Sequence, residues 1–409
     1  MDFRFSAHDP ESGARLHRLP RPSNVSIGDT FGTRGTLELT YSSKALAAKP
    51  MPTFVEIRPE ATFDEGLTWE PMGPNYLRLS GSHEDTDAAG MRTVKFVSRE
   101  WLLGKARVGY GDLPLIDGKR PFYRASPGQI MRALLLEAKD RGAAQGIEIG
   151  GFTASADSSG QSWGKVATIY YQPGLPILSV LENLVEQGMC DYRMDGNTVM
   201  LYEPETTMGR DLTAGDNPVR VHGSVTEAPV EYTLEDLTNS ALLIGDDGFS
   251  LEVDNPTAPD DYGRLEVTIE QGGVSDSGTA RIMVDESLRK GSREIREITR
   301  TQKAEGLKHL PYRDYRIGDY VQVRDLGEWQ RYRVREIQAV RDGDGWTVHT
   351  VINDRLQELL LKLAKRTSGI VNGSTGSGGD GTPPAPPARP GIEPAAPEGL
   401  VIDQQVYID

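Results

Sequence analysis

A hydrolase or metalloenzyme would have to draw on six histidines, one cysteine and 60 Asp and Glu residues in this 409-residue chain. His8, His17, His83, His222, His309 and His349 occur singly, without HExxH or HxH spacing, so no zinc cage is encoded locally. Cys190 stands alone and can form neither an internal disulfide nor a cysteine metal cluster. A small buried apolar side chain is what such a residue supplies. Ser82-His83-Glu84-Asp85 has the composition of a catalytic triad, but side chains adjacent in sequence cannot adopt a triad's geometry. Gly245-Asp246-Asp247-Gly248 and Pro259-Asp260-Asp261-Tyr262 lack the spaced ligands of a calcium loop and read as solvated turns. The glycines from Gly104 to Gly111 and the pair Gly272-Gly273 match neither phosphate-binding pattern. No catalytic residue, cofactor or metal is therefore expected. A carboxylate pair of the glycosidase kind stays open, because folds assemble it without a local motif.

The elements that would position any such group begin as short alternating runs separated by Gly, Pro, Asn and Asp. Residues 1–110 predict strands at Thr36–Tyr41, with Leu37, Leu39 and Tyr41 on one face, at Thr53–Arg58, at Tyr76–Ser80 with Leu77 and Leu79 together, and at Thr93–Val97. That is the pattern of a first small β-barrel or sandwich, with polar Gly81–Gly90 as a loop. Over residues 111–208 the period changes to an α/β region. Ser126, Pro127 and Gln129 form a helix start, after which Ile130, Met131, Leu134, Leu135 and Ala138 recur at helical spacing as far as Gly142. Pro176 opens a second helix with Ile177, Val180, Leu181, Leu184 and Val185 as its apolar stripe and Gly188 at its C-terminal cap. Asp195-Gly196 then predicts a type I′ hairpin within Asp191–Tyr202.

Residues 209–300 read as a second α/β region, with strands at Ala241–Ile244, Phe249–Val253 and Arg264–Ile269 and a helix over Ser277–Lys290. Residues 301–366 predict a second small β-barrel: a meander of Asp319–Asp325, Gln330–Arg341 and Gly345–Asn353, then a helix over Asp354–Lys365. In its middle strand a period of two puts Arg331, Arg333 and Arg335 on one face. From the residues alone they form an exposed strand face. Residues 367–399, glycines first and prolines later, form a linker that cannot bury enough apolar surface to fold alone. The terminal stretch 400–409 carries Val401, Ile402, Val406, Tyr407 and Ile408, and reads either as a docking peptide that adds to a partner's sheet edge or as a frayed terminus.

With 37% hydrophobic and 26% charged residues the chain has the composition of a globular protein, which excludes collagen and wholesale disorder. A formal charge of −15 repels a phosphate backbone or an anionic membrane, so a general nucleic-acid binder is not expected. No run approaches the ~18 apolar residues of a membrane span. Residues 1–21 carry charges and no apolar centre, so the expectation is synthesis in a cytoplasm without a cleaved signal. Residues 281–366 carry a basic excess and residues 1–280 an acidic one, and opposed patches of this kind can join copies of a chain.

The order of these parts, with "VSREWLLGKARVGYG" from Val97 to Gly111, Gly318-Asp319 before a strand, and the "YRVREI" strand, resembles the tail-tip hub (minor tail) proteins of long-tailed phages, especially those infecting actinobacteria. The resemblance spans residues 1–366 and excludes the tail beyond. It implies an α+β, mainly β fold: two small β-barrel domains with an inserted α/β region. It implies a structural subunit of the virion, assembled in the host cytoplasm, that forms a homotrimeric ring closing the tail tube. Its partners would be the distal tail protein, the tape measure protein and other minor tail or receptor-binding proteins. DNA would pass without specific binding, and the host envelope would be met only indirectly. Trp101, Leu102 and Leu103 match the stretch with which the family leaves its first barrel, where they would seal a domain junction or pack a core. In such a ring Arg331, Arg333 and Arg335 would pair with acidic residues of a neighbouring copy, the alternative to an exposed strand face. A cell-wall hydrolase of the tail and a carbohydrate-binding adhesin are the competing functions. Only 5 tryptophans, mostly beside apolar strands, give an adhesin no evident stacking platform.

Overall fold

The computed structural model describes residues 1–83, 90–109, 115–245, 248–271 and 274–353. The helix expected at Asp354–Lys365, the linker and the terminal segment with Val401, Ile402, Val406, Tyr407 and Ile408 lie outside the described residues, as does most of the loop expected at Gly81–Gly90. Strand outweighs helix, 43% to 15%, which is the mainly β, α+β class expected. No helix among the described residues is long and apolar enough to cross a membrane.

The first segment comprises β1 (Asp2–His8), β2 (Arg15–Arg18), β3 (Asn24–Thr30), β4 (Thr36–Ser42), α1 (Ser43–Ala48), β5 (Glu56–Thr62), β6 (Glu70–Pro71), β7 (Tyr76–His83) and β8 (Met91–Ser98). Leu37, Leu39 and Tyr41 of β4 are buried as their alternation requires. Leu77 and Leu79 are not core residues. In the β7–β8 pairing Arg78 faces Phe96 and Ser80 faces Lys95, so Leu79 is the extra residue of a β-bulge, 54% exposed, and Tyr76 takes the buried position instead.

The middle of the chain holds α2 (Trp101–Lys105), β9 (Arg120–Ala125), α3 (Pro127–Asp140), β10 (Glu148–Ile149), β11 (Ala167–Tyr171), α4 (Ile177–Glu186), β12 (Asp191–Asp195) and β13 (Thr198–Tyr202). Ser126 Oγ accepts from the Gln129 N–H at 3.1 Å and caps α3, and Pro127 occupies the first turn, where its missing N–H costs nothing. Both helices end alike. Gly142 and Gly188 have positive φ and donate to Lys139 and Val185, while the next residues, Ala143 and Met189, donate to Ala138 and Leu184. The buried stripes of α3 and α4 form one core with Phe122, Ile147, Phe152, Ile169 and Leu201. The β12–β13 hairpin is shifted by one residue from expectation. Asp195 pairs with Thr198, so Gly196 and Asn197 form the turn and Gly196 alone has positive φ, the pattern of type II′.

Next come β14 (Val225–Glu227), β15 (Val230–Thr233), β16 (Ser240–Ile244), β17 (Ser250–Asp254), β18 (Glu266–Glu270), α5 (Ser277–Gly291), β19 (Ile295–Lys303), β20 (Tyr320–Asp325), β21 (Glu328–Asp342) and β22 (Gly345–Asn353). Strands β17-β16-β18 form a small sheet, and Met283, Val284 and Leu288 of α5 join the same core as the helices.

The barrels expected at the two ends of the chain are not closed. Instead a 14-stranded sheet runs β14-β19-β22-β21-β3-β4-β8-β7-β5-β1-β2, with β15 beside β19, β20 beside β21 and β6 beside β5. The cause is the length of β21. Its first six residues pair with β20, and its second half runs on to pair with β3, Ile27 facing Ala339. One core accordingly contains Phe5, Ile27, Leu39 and Ile57 of the first segment together with Val321, Val334, Ile337 and Ile352 of the last.

Candidate functional site: an ionic seam and an adjoining cleft

Strand β21 carries the three arginines read from the sequence, and each takes a different partner within the chain. Arg331 is half exposed, lies over the Tyr320 ring at 3.6 Å and pairs with Asp211 at 2.9 Å. Such a surface pair contributes ~0–1 kcal/mol. Arg333 is buried. Its Nη2 donates to Asp191 Oδ2 at 2.7 Å, with side-chain exposures of 4% and 7%, and its guanidinium lies 4.5 Å from the centre of Phe31. Arg335 donates from Nε to the Asn353 carbonyl at 2.7 Å. The single face expected from a period of two is broken because Val334 faces Ile352 and Glu336 faces Val351, so a bulge at Arg335 reverses the alternation. Val334 is buried before it, and Ile337, Ala339 and Arg341 after it.

Arg333–Asp191 therefore joins the long sheet to β12 of the α/β region. Asp191 Oδ2 also accepts from the Glu205 N–H at 2.8 Å, and Arg333 Nε donates to the Gly318 carbonyl at 3.2 Å. Beside it, Asp319 accepts from the Arg210 backbone N–H at 2.8 Å and from its guanidinium at 2.6 Å. The chain passes so close that a Cβ on Gly209 would lie 1.8 Å from the Gly318 oxygen. Only glycine fits there.

A second pair spans the other side of the same junction. Glu56 opens β5 fully buried; it accepts from Arg58 Nε at 2.6 Å and Asn75 Nδ2 at 3.1 Å, and Arg99 Nε lies 2.6 Å from its other oxygen, off the hydrogen-bond axis. Arg99, just beyond β8, also donates to the carbonyls of Pro10 and Gly146. One guanidinium thus ties the first segment, β5 and the loop before β10. Glu100 follows it, and burial pushes its carboxyl up to about 8, against the pull of the Ser98 hydrogen bond, so it is held neutral at pH 7. In α2, Leu103 is fully buried in the core of the helices, Leu102 packs partly against it, and Trp101 is half-buried with Lys105 over its ring at 5.1 Å.

A cleft of about 240 Å³ lies between β1, β5 and the β12–β13 turn, lined by Ser6, His8, Arg58, Glu60, Asn75 and Asp195. Ser6 Oγ is 2.9 Å from His8 Nε2, and His8 Nδ1 is 3.0 Å from the Gly13 carbonyl. A serine beside a histidine has the outline of an activated nucleophile. Here both side chains are buried and lie two residues apart on one strand face, and Ser6 Oγ also reaches the Arg58 carbonyl. The contacts bind strand to strand. Glu60 is held below the usual carboxylate range by the hydrogen bond from Arg4, at 2.6 Å. Among the described residues no three His, Cys, Asp or Glu side chains converge to hold a metal. Cys190 is buried, which pushes its thiol well up. Ser82 and His83 sit at the exposed end of β7, and Glu84 and Asp85 are outside the described residues.

Of the seam, only Arg333 and Asp319, the latter within Gly318-Asp319, stand out in the sequence. Glu56, Arg99 and Asp191 look like ordinary surface charges in sequence; only Glu56 offered a signal, as a charge among the apolar residues Phe54, Val55 and Ile57. Such a charge, if buried, needs a partner.

No family model matches the sequence, and no curated protein matches it. Solved structures do share the fold. A 43 kDa tail protein of prophage MuSo2 from Shewanella oneidensis superimposes with a TM-score of 0.59 at 12% identity, over 87% of this chain and 98% of that one. A tail protein from Neisseria meningitidis MC58 gives 0.55 at 11%, covering 87% and 97%. Prophage tail protein gp18 from Listeria monocytogenes EGD-e gives 0.53 at 11%, covering 90% and 100%.

Proposed function

We propose that the chain is a structural subunit of a phage tail tip, a hub in which three copies form a ring that closes the tail tube and anchors receptor-binding or fibre proteins. The carrying observation is that three phage tail proteins share its fold over nearly their whole lengths. The seam supports the same reading, since buried ion pairs at the meeting of the α/β region with the long sheet hold those parts in one orientation, as a rigid ring subunit requires. The distal tail protein would sit above the ring, the tape measure protein would reach it through the tube, and other minor tail proteins would dock outward. The acidic excess, −15 over the chain, would keep passing DNA from adhering to the bore. The chain acts by assembling and not by turnover. Light scattering and negative-stain images of the purified chain test this: a mass of three chains and a threefold ring are expected, and a monomer at every concentration, together with turnover of cell-wall glycan, would overturn it.

A further inference from the structure

We infer that neighbouring copies join head to tail, the basic edge strand β2 of one against the acidic edge β14–β15 of the next. This rests on the ring proposed above and names the surfaces that make it. The two edges are the opposite ends of the hydrogen-bonded path through the long sheet. Among the described residues β2 pairs only with β1, and β14 and β15 pair only with β19, so no described strand lies beside the outer backbone groups of either edge. Residues 222–232 are exposed without interruption.

Their side chains are complementary. Strand β2 reads Arg15-Leu16-His17-Arg18, whereas the other edge carries Glu227 and Glu231. All four charges are exposed and, among the described residues, none makes a salt bridge, although Arg15 and Arg18 lie near enough to Glu60 to help lower its carboxyl; the Glu227 carboxylate accepts from the Thr301 hydroxyl at 3.4 Å. On β19, Glu227 faces Thr301 and Glu231 faces Glu297, four residues apart or ~13 Å, whereas Arg15 and Arg18 face His8 and Ser6 of β1 across a bulge at Leu16, two positions apart or ~7 Å. Side-chain length covers the difference. Each edge also offers apolar surface: Leu16, 47% exposed, on one, and Val230 and Tyr232, 37% and 68% exposed, on the other.

Like edges oppose one another. Two β2 strands would set arginine against arginine, and two β15 strands glutamate against glutamate, which is destabilising when the charges face each other. What remains is a heterologous contact, the kind that closes into a ring when its rotation allows.

The test uses the full chain and four exposed positions. The double variants R15E/R18E and E227R/E231R are each expected to shift the light-scattering mass from three chains to one, with unchanged circular dichroism. The quadruple variant, with the charges exchanged between the edges, is expected to recover the three-chain mass. The wild-type ring should also weaken with added salt. If both double variants keep the three-chain mass, the edges are not the contact and the ring reading stands. If the quadruple variant stays single while folded, charge complementarity between these edges is refuted. A wild type that is single under all conditions removes the ring itself.

Discussion

Leu134 in α3 and Arg333 in β21 are almost equally buried, yet their surroundings differ in kind. Leu134 lies among Ile130, Leu135, Ile169 and Leu181, where every neighbour removed from water adds to the same non-directional gain, ~1.5–3 kcal/mol for such a side chain. Arg333 lies between Asp191, Phe31 and the Gly318 carbonyl. Its Coulombic gain is largely offset by desolvation, so the pair contributes little net stability while tolerating no unpaired member. Apolar packing thus supplies most of the stability of the α/β region. The seam decides how that region is aligned against the long sheet.

The largest effect expected from this contrast is for Arg333→Leu, which leaves the Asp191 carboxylate buried and unpaired. A loss of ~3–5 kcal/mol is expected in urea unfolding, most of it recovered in Asp191→Leu/Arg333→Leu. A single variant within 1 kcal/mol of wild type would mean that the seam is wet and the contrast wrong. Leu134→Ala should cost ~3 kcal/mol, with no partner substitution able to restore it.

Third is the ionic contact inside the apolar region. Glu286 of α5 is buried, which raises its carboxyl, but Arg289 at 2.7 Å and Lys290 at 3.0 Å outweigh this and hold it down at about 2. A folded-state value below the unfolded one, 4.5, means stability that is complete above pH 4.5 and lost as the pH falls toward 2. The contribution is on the order of 2 kcal/mol once the screening of half-exposed Arg289 is allowed for. Melting temperatures should fall more steeply between pH 5 and 2 in wild type than in Glu286→Gln; parallel curves would sink the assignment. The smallest effect belongs to the bulge. Leu79→Ser should change stability by less than ~0.5 kcal/mol, and a loss of 2 kcal/mol would show Leu79 to be a core residue after all.

Legibility in the sequence followed the range of the interactions. The starts and ends of α3 and α4 could be read because caps, Pro127, Gly142 and Gly188 act within one turn of their own position. The meander could be read because β20, β21 and β22 follow one another with short turns. Leu79 and Arg335 could not, since a bulge moves one residue out of a repeat without changing its composition. The pairing of β3 with β21 joins residues some 300 positions apart and depends on where a 15-residue strand is free to extend.

Composition, periodicity and local turn chemistry determined the class of this protein, its helices α3, α4 and α5 and many of its strands, because each depends on neighbours within a few residues. Tertiary structure alone decided that the two ends of the described chain share one open sheet, and that Glu56, Arg99, Asp191 and Arg333 are buried rather than solvated. A charge carries no mark in the sequence of whether water or an opposite charge will surround it. That is settled only when distant segments close over it and exclude the solvent.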